Sequence, residues 1–486
     1  MNNTLPALLT SVAALMVTTA SVADVPFTPL ADFGLGGQPS DVNSSGIIVG
    51  AVRVENESAP SVPVIWQTSN SAPTPLPTVN GGYAVAINSN GDIVGTEFQV
   101  SGSYGIPVLW SNGERIELPD LGEGGYANDI NEAGVIIGNV ISKGQYRAAR
   151  WVNRELELLP LPEFETEDGV IWSFANTINS AGVISGTIQA PIATPSAALR
   201  WDSEGVAFVQ SEGLETKGIS VDNLGGILIN GYFDGGYSRA PAVVQNNGTV
   251  NVLEIPAGLF GGASGLAMGR NGIVAGYYYA SGDSGFQIKA VAWPNGVFTP
   301  LEMPAGQRYA FPSAVGMNGM VFGSATDGQT GRSVPGFWQL DIEGTTLRST
   351  PVSGARGQTV QLAAESVRSS GANVGYSVAA RVNGAIVGQS VTNSQGKASV
   401  SFTIPQSASG NQLTVQFKDE TGATTTTVIE IESACAAADF NCDGRVDSAD
   451  LSILLSQWGG SGACDLNADG VVNAPDLSQL IANWTL

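Results

Sequence analysis

The chain contains no histidine. This removes the commonest general base near neutral pH, every Ser-His nucleophile pairing and every imidazole-ligated metal site. Any catalysis would have to run on carboxylates, Tyr, Lys or Ser. Cations are scarce as well: 20 Lys and Arg stand against 43 Asp and Glu, a formal charge of −23 over 486 residues. Phosphate backbones and anionic lipid both require clustered positive charge, so nucleic acid is excluded as a partner. Cysteine is limited to three residues, all within Cys435–Cys464. They fit an oxidising compartment and one bridge in a small terminal module, with the pairing among Cys435, Cys442 and Cys464 left open. Three thiols without His or a CxxC spacing argue against zinc.

Long apolar runs are missing too, except Leu5–Ala20, which is too short to span a bilayer comfortably. Ser21-Val22-Ala23 follows it with small residues at a cleavage point, so residues 1–23 read as a signal peptide cut after Ala23. Its start, Met1-Asn2-Asn3-Thr4, lacks the usual Lys or Arg. No later stretch forms a transmembrane segment, and the expected location is extracellular or cell-surface.

Glycine and proline are plentiful. The 62 Gly and 25 Pro punctuate short runs of Val, Ile, Thr and aromatics, and helical apolar periods are scarce, which predicts a mostly all-β body. The length predicts two to four domains.

An internal repeat organises most of that body. Ala86-Ile87-Asn88-Ser89-Asn90-Gly91-Asp92-Ile93-Val94-Gly95 returns as Asp129–Gly138 and Thr177–Gly186, with an earlier copy at Asp41–Gly50 and weaker ones opening at Val221, Met268 and Val315. Equivalent positions 43, 88, 131, 179, 222, 269 and 316 give seven copies spaced by 43 to 48 residues. Each copy reads as strand, tight turn, strand. The second half of a unit brings an apolar run ending in Trp66, Trp110, Trp151, Trp201, Trp293 or Trp338, with Gln245 in the fifth copy. A turn such as Ser111-Asn112-Gly113, a strand such as Arg115–Leu118 and Pro119-Asp120-Leu121-Gly122 complete it. Four strands per unit of this length predict the blades of a seven-bladed β-propeller over residues 24–342.

The combination of apolar-apolar-Trp, an Asn-Gly turn, Leu-Pro-x-Leu-Gly and Ala-x-x-Ile-Asn-x-x-Gly-x-Ile-x-Gly resembles the extracellular HAF-type repeat family. Before the Trp, where that family shows His-Ala-Phe, stand Ile106-Pro107-Val108-Leu109 or Arg147-Ala148-Ala149-Arg150. The resemblance implies architecture without an activity. A Trp recurring at one place in the repeat predicts a wedge between neighbouring sheets rather than a sugar platform. Trp172, in the acidic insert Glu163–Trp172, has no such place and is the better ligand candidate. The N-terminal Thr28-Pro29-Leu30-Ala31-Asp32-Phe33-Gly34 mimics Glu117–Gly122, which predicts that Val25–Ala31 supplies the outer strand of the last blade.

Past Asp341 the repeat stops, and Ser/Thr/Val alternation over residues 343–433 predicts an immunoglobulin-like β-sandwich. The runs are Thr359–Ala363, Gly375–Val382, Ala385–Val391, Ala398–Ile404, Gln412–Phe417 and Thr424–Ile431. The stretch Arg381–Ala398 is similar to bacterial Ig-like domains of the invasin type, which implies a spacer.

Residues 434–486 carry two twelve-residue loops. Asp439, Asn441, Asp443, Asp447 and Asp450 fall at positions 1, 3, 5, 9 and 12, and Asp465, Asn467, Asp469, Asn473 and Asp476 repeat them 26 residues on. Gly444 and Gly470 occupy position 6, and the backbone carbonyls of Arg445 and Val471 stand at position 7. Alternate oxygens on a tightly curved loop supply the coordination a hard cation needs, so two Ca2+ sites are expected. Each loop leads into a short helix ending at Trp458 or Trp484.

Aspartate at position 12 and one helix per loop resemble a type I dockerin module. The resemblance implies docking to a cohesin-like or cell-surface protein. Positions 10 and 11, often Ser-Thr in that family, are Ser448-Ala449 and Ala474-Pro475.

These readings favour a secreted, non-catalytic recognition protein with a polysaccharide or protein ligand on the propeller and a calcium-dependent docking tail. The alternative is a carboxylate-based polysaccharide hydrolase or lyase delivered to a cohesin-bearing complex, with the acids in the propeller channel. The inner strands offer few acids at equivalent places, Asp129 and Asp222, which weighs against it.

Overall fold

The computed structural model describes residues 24–54, 59–99, 104–163, 171–189, 196–209, 217–233, 238–257, 259, 261–282, 285–342, 344–369, 371–406, 408, 411–432, 437–441 and 445–485. The expected signal peptide lies outside them.

Up to Gln339 the chain folds strand by strand into antiparallel sheets. Gly37–Val42, Ile48–Val52, Val62–Trp66 and Thr74–Pro75 form one four-stranded sheet, and four more of the same order follow, ending with Val250–Val252. The last repeats share an eight-stranded sheet, joined by a single parallel pairing of Ile288 with Tyr309. Phe27–Pro29 lies on its far side, antiparallel to Ser333–Gln339 with Phe27 opposite Trp338, so the N-terminal end supplies an outer strand beside the last repeat.

The repeated Asn explains why the sequence returns. In each of the seven copies the backbone N–H at that position donates to the carbonyl four residues on, as in Asn43 to Ile47, Asp222 to Gly226 and Gly316 to Met320. Asn131 Oδ1 also accepts from the N–H groups of Ala133 and Val135, at 3.1 and 3.0 Å. Its Nδ2 reaches 3.3 Å to the carbonyl of Asn179 in the next copy. Asn43 bonds Asn88, Asn88 bonds Asn131 and Asn179 bonds Asp222 in the same way. One amide thus closes its own turn and ties neighbouring sheets together.

The Trp series behaves as wedges. Trp66, Trp151, Trp293 and Trp338 are fully buried. Each indole donates backward to a carbonyl just past the outer strand of the preceding repeat, Trp110 to Pro77 at 2.7 Å and Trp151 to Pro119 at 2.8 Å. Burial of a large ring with its N–H satisfied is the stable use of Trp in a core.

Residues 346–432 form two facing sheets. Thr346–Ser349, Thr359–Arg368, Gly371–Ala372 and Lys397–Thr403 make one; Val352–Ala355, Ser377–Val382, Ala385–Val391, Gln412–Asp419 and Thr424–Glu432 make the other. Alternation along Thr359–Arg368 sends Val360, Leu362 and Ala364 inward against Val378, Val415 and Phe417. Two helices follow, α1 at Ser448–Ser456 and α2 at Ala474–Ala482, over a small core of Val446, Leu454, Cys464, Val472 and Leu480. No helix among the described residues is long and apolar enough to cross a membrane.

Candidate functional site

The C-terminal loops are built from their last residue backward. Asp476 is buried, and its Oδ1 accepts from the N–H groups of Leu466 (2.8 Å) and Asn467 (3.1 Å) while Oδ2 accepts from Asn473 (2.8 Å). Asp450 does the same with Phe440 (2.7 Å), Asn441 (3.1 Å) and Asp447 (3.0 Å). The hydrogen bond from Asn473, then those from Asn467 and Leu466, hold the Asp476 carboxyl below its usual range. Each acid therefore curls the start of its loop onto the helix that follows. Asp447 and Asn473 begin the helices as N-caps, and in each the backbone N–H of the cap donates to the acid three residues on.

Loop oxygens gather in the same way. Asp465 Oδ1 and Asn467 Oδ1 both lie 3.1 Å from the N–H nitrogen of Asp469, and Gly470 N–H donates to Asp465 Oδ2 at 2.7 Å. Gly470 sits at φ +92°, a left-handed conformation that explains glycine at position 6. Asn473 Oδ1 is buried with no hydrogen-bond partner. A set of carboxylate, amide and carbonyl oxygens with one orphaned acceptor suits a hard cation. Among the described residues no three acidic side chains are already drawn together as a cage. Asp443 lies outside those residues, while Asp439, Asn441, Arg445, Asp447, Asp450 and all six residues expected for the second loop, including Val471, lie within them.

The two halves interlock. Val472 exchanges backbone bonds with Gly459 and Gly460, and Val446 receives the corresponding bond from Thr485 at 2.9 Å. The segment beyond each helix thus pairs with the other loop, at positions 26 residues apart. The same offset relates Leu455 to Ile481 and Trp458 to Trp484, which are 51%, 58%, 47% and 38% exposed. Each helix thus ends in an exposed pair of large apolar side chains.

Residues 437–483 match the model of the dockerin type I domain. No curated protein matches the chain. Among solved structures, TolB from Acinetobacter baumannii is 15% identical, with 61% of this chain and 64% of that one covered and a TM-score of 0.35. The β-propeller domain of the Trilobed protease from Pyrococcus furiosus is 11% identical over 63% of this chain and 94% of that one, with a TM-score of 0.45. A polysaccharide lyase of the PL25 ulvan lyase family is 10% identical over 84% and 94%, with a TM-score of 0.29. The chain spans less than two thirds of the TolB chain.

Cys464 is a free, buried thiol in the dockerin core, and burial pushes its pKa up. Cys435 and Cys442, and with them the expected bridge, lie outside the described residues.

A second cluster of acids sits at the centre of the body. The first strands of all seven copies surround a cavity of about 440 Å3 containing Asp41, Asp129, Glu132, Arg270 and Glu420. Asp222, expected there, instead sits on its own turn, where Oδ1 accepts from Gly226 N–H at 2.7 Å. Asp41 and Glu132 were not among the expected acids. Asp41 stands two residues before the repeat Asn, the same offset as Asp129, and that alignment was the available signal.

These groups are tied to the framework. Asp41 Oδ2 accepts from Ile87 N–H at 2.9 Å and Asp129 Oδ2 from Ile178 N–H at 2.8 Å, each in the neighbouring sheet. Arg270 donates to Glu132 at 3.1 Å and to the Ile130 carbonyl at 2.7 Å. Burial would lower its pKa, but Asp129, Glu132 and Glu420 hold it above the ordinary value.

Glu420 comes from the sandwich. It occupies the turn between Gln412–Asp419 and Thr424–Glu432 and accepts from Ser180 Oγ (2.8 Å), Ser377 N–H (2.8 Å) and Asn223 Nδ2. Lys418 Nζ reaches Ser45 Oγ at 2.9 Å beside it. The sandwich therefore stops the end of the cavity where the repeat turns lie.

Trp172 is not free in an insert. It opens the strand Trp172–Ile178, half-buried, with its ring edge-on to Tyr146 at 5.7 Å between centroids. Its Nε1 is buried without a partner. Residues 164–170 of the acidic insert lie outside the described residues.

Proposed function

We propose that this is a secreted or cell-surface, non-catalytic recognition protein. In this reading residues 24–342 are a seven-bladed propeller that presents the recognition face. Residues 343–433 are an Ig-like spacer and residues 434–486 a dockerin that loads two calcium ions and docks to a cohesin. The observation that supports it most is the doubled loop and helix, with its interlocked halves and its repeated exposed pair Leu455/Trp458 and Ile481/Trp484. Dockerin type I domains bind calcium, and proteins that carry them are extracellular or cell-surface.

Asp439, Asn441, Asp443, Asp447, Asp450 and the Arg445 carbonyl would hold the first ion. Asp465, Asn467, Asp469, Asn473, Asp476 and the Val471 carbonyl would hold the second. Calcium would replace the loop's own N–H groups as partner to the side-chain oxygens and engage the orphaned Asn473 Oδ1. The central carboxylates favour the non-catalytic reading, because Asp41 and Asp129 are engaged by backbone N–H groups of neighbouring sheets and Glu420 by Ser377 N–H and Ser180 Oγ.

The test is binding of the full chain to an immobilised type I cohesin domain, with calcium and with chelator. Retention only with calcium supports the reading. No retention in either condition would remove the docking role.

A further inference from the structure

The central cavity has a second end. The first strands run from it toward the sandwich, and where they begin the cavity continues into a groove of about 750 Å3, sharing Ser40, Val85 and Asn128 with it. This volume is within the ~300–1,000 Å3 range of small-ligand clefts.

Its lining is unusual for this chain. Tyr83, Phe98, Tyr104 and Tyr126 stand beside Gln38, Gln99 and Asn128, with Arg53 at the edge. Among the described residues no carboxylate lines it, although the chain has 43 Asp and Glu. Tyr83 is 45% exposed and meets Phe98 edge-on at 5.1 Å. Tyr126 stacks on Tyr146 at 6.3 Å, and Tyr146 meets Tyr104, Phe174 and Trp172, so rings continue across to the next sheet.

Flat rings alternating with amides match a particular chemistry. A pyranose presents C–H groups on its faces and hydroxyls around its rim, so it stacks on an aromatic ring while its rim exchanges bonds with amides. Asn128 Nδ2 is already engaged by the Ala175 carbonyl at 2.8 Å, which fixes the side chain and leaves Oδ1 to accept a hydroxyl.

We propose that this groove binds a pyranose oligosaccharide, a short stretch of a polysaccharide chain. Tyr83 and Tyr126 stack the sugar faces, Gln38, Gln99 and Asn128 hold the rim hydroxyls, and Arg53 meets any carboxylate or sulfate substituent. The sandwich closes the opposite end, so the sugar enters from the groove side. The inference rests on reading residues 24–342 as the recognition body and is independent of the dockerin.

The calcium-loaded full chain is applied to an array of neutral, uronic acid-bearing and sulfated oligosaccharides, and the strongest binder is titrated calorimetrically. Tyr83→Ala should weaken binding by about tenfold or more, and Tyr83→Phe, which keeps the ring, should stay within about twofold. Tyr83 is half exposed, so an unchanged thermal transition is expected and shows that the fold survives. Arg53→Ala separates the two sugar sources: a loss confined to acidic oligosaccharides assigns an anionic polymer, and unchanged affinity a neutral one. An array without binders overturns the proposal, as does a binder that Tyr83→Ala and Tyr126→Ala leave unaffected, or binding of a peptide in the groove instead. Cohesin binding by the same preparations reports on the dockerin separately, so failure of one reading is distinguishable from failure of the other.

Discussion

Asn131 shows how much one amide does in this fold. Its Oδ1 satisfies two N–H groups of its own turn, and its Nδ2 satisfies a carbonyl of the next sheet. Asn131→Ala leaves those groups buried and unpaired, and should cost about 2–3 kcal/mol in reversible unfolding of the full chain. Asn131→Asp keeps the turn and loses the donor, so a smaller loss is expected. Glu420 is the comparable residue between the repeat sheets and the two facing sheets that follow them. Burial raises its pKa to about 7, Arg270 opposes the rise and Glu132 adds to it, while Asp41 is likewise raised to about 7 by burial. Both folded values exceed the unfolded ones of 4.5 and 3.8. Between the unfolded and folded values the native chain holds protons that the unfolded chain has released. The stability these groups contribute is present at low pH, falls up to about pH 7 and is flat above it. Glu420→Gln can bond the same partners without a charge and should flatten that slope in thermal unfolding from pH 5 to 8. An unchanged slope would remove Glu420 from its origin.

At the scale of the element, each dockerin loop is a helix start as well as a proposed ion site. Asp450 and Asp476 pull three N–H groups apiece toward the first turns of α1 and α2. Asp476→Ala should therefore lower helix content even without calcium, whereas Asp465→Ala should leave the helix and abolish one ion site. Circular dichroism and calcium titration of the same variants separate the effects: stoichiometry should fall from two ions to one in each. The exposed ends of the helices make a further prediction. Trp458→Ala and Trp484→Ala together should weaken cohesin binding by about tenfold or more, since exposed aromatic anchors commonly dominate interfaces. Calcium uptake should be unaffected, because neither indole supplies an oxygen.

For the whole molecule, calcium should act on one part only. Ion binding to the native state would draw the loop acids together and adds about 3 kcal/mol per site at a hundredfold excess over Kd. Chelation should melt the C-terminal module in calorimetry of the full chain and leave the main transition in place. The reason is that the Asn ladder, the Trp wedges and the Glu420 contact use none of those ligands. A single transition that moves as one with calcium would mean that the module is coupled to the rest.

Strand spacing, repeat length, the closing segment near Val25–Ala31 and the doubled loop and helix of the C-terminal module were legible in the residues, because each depends on local periodicity or on a short chemical pattern. The sequence by itself also determined that the recurring Trp is a wedge, since a residue that returns with every unit serves what every unit shares. Only the tertiary structure decided what lies between distant segments. Glu420 and Ser180 are 240 positions apart. No pattern in either stretch announces that a sandwich turn closes the cavity, that Asp41 faces it while Asp222 turns away, or that Trp172 packs on Tyr146. Those outcomes follow from which strand ends the ring brings together, and that depends on closure of the whole sheet set rather than on any one repeat.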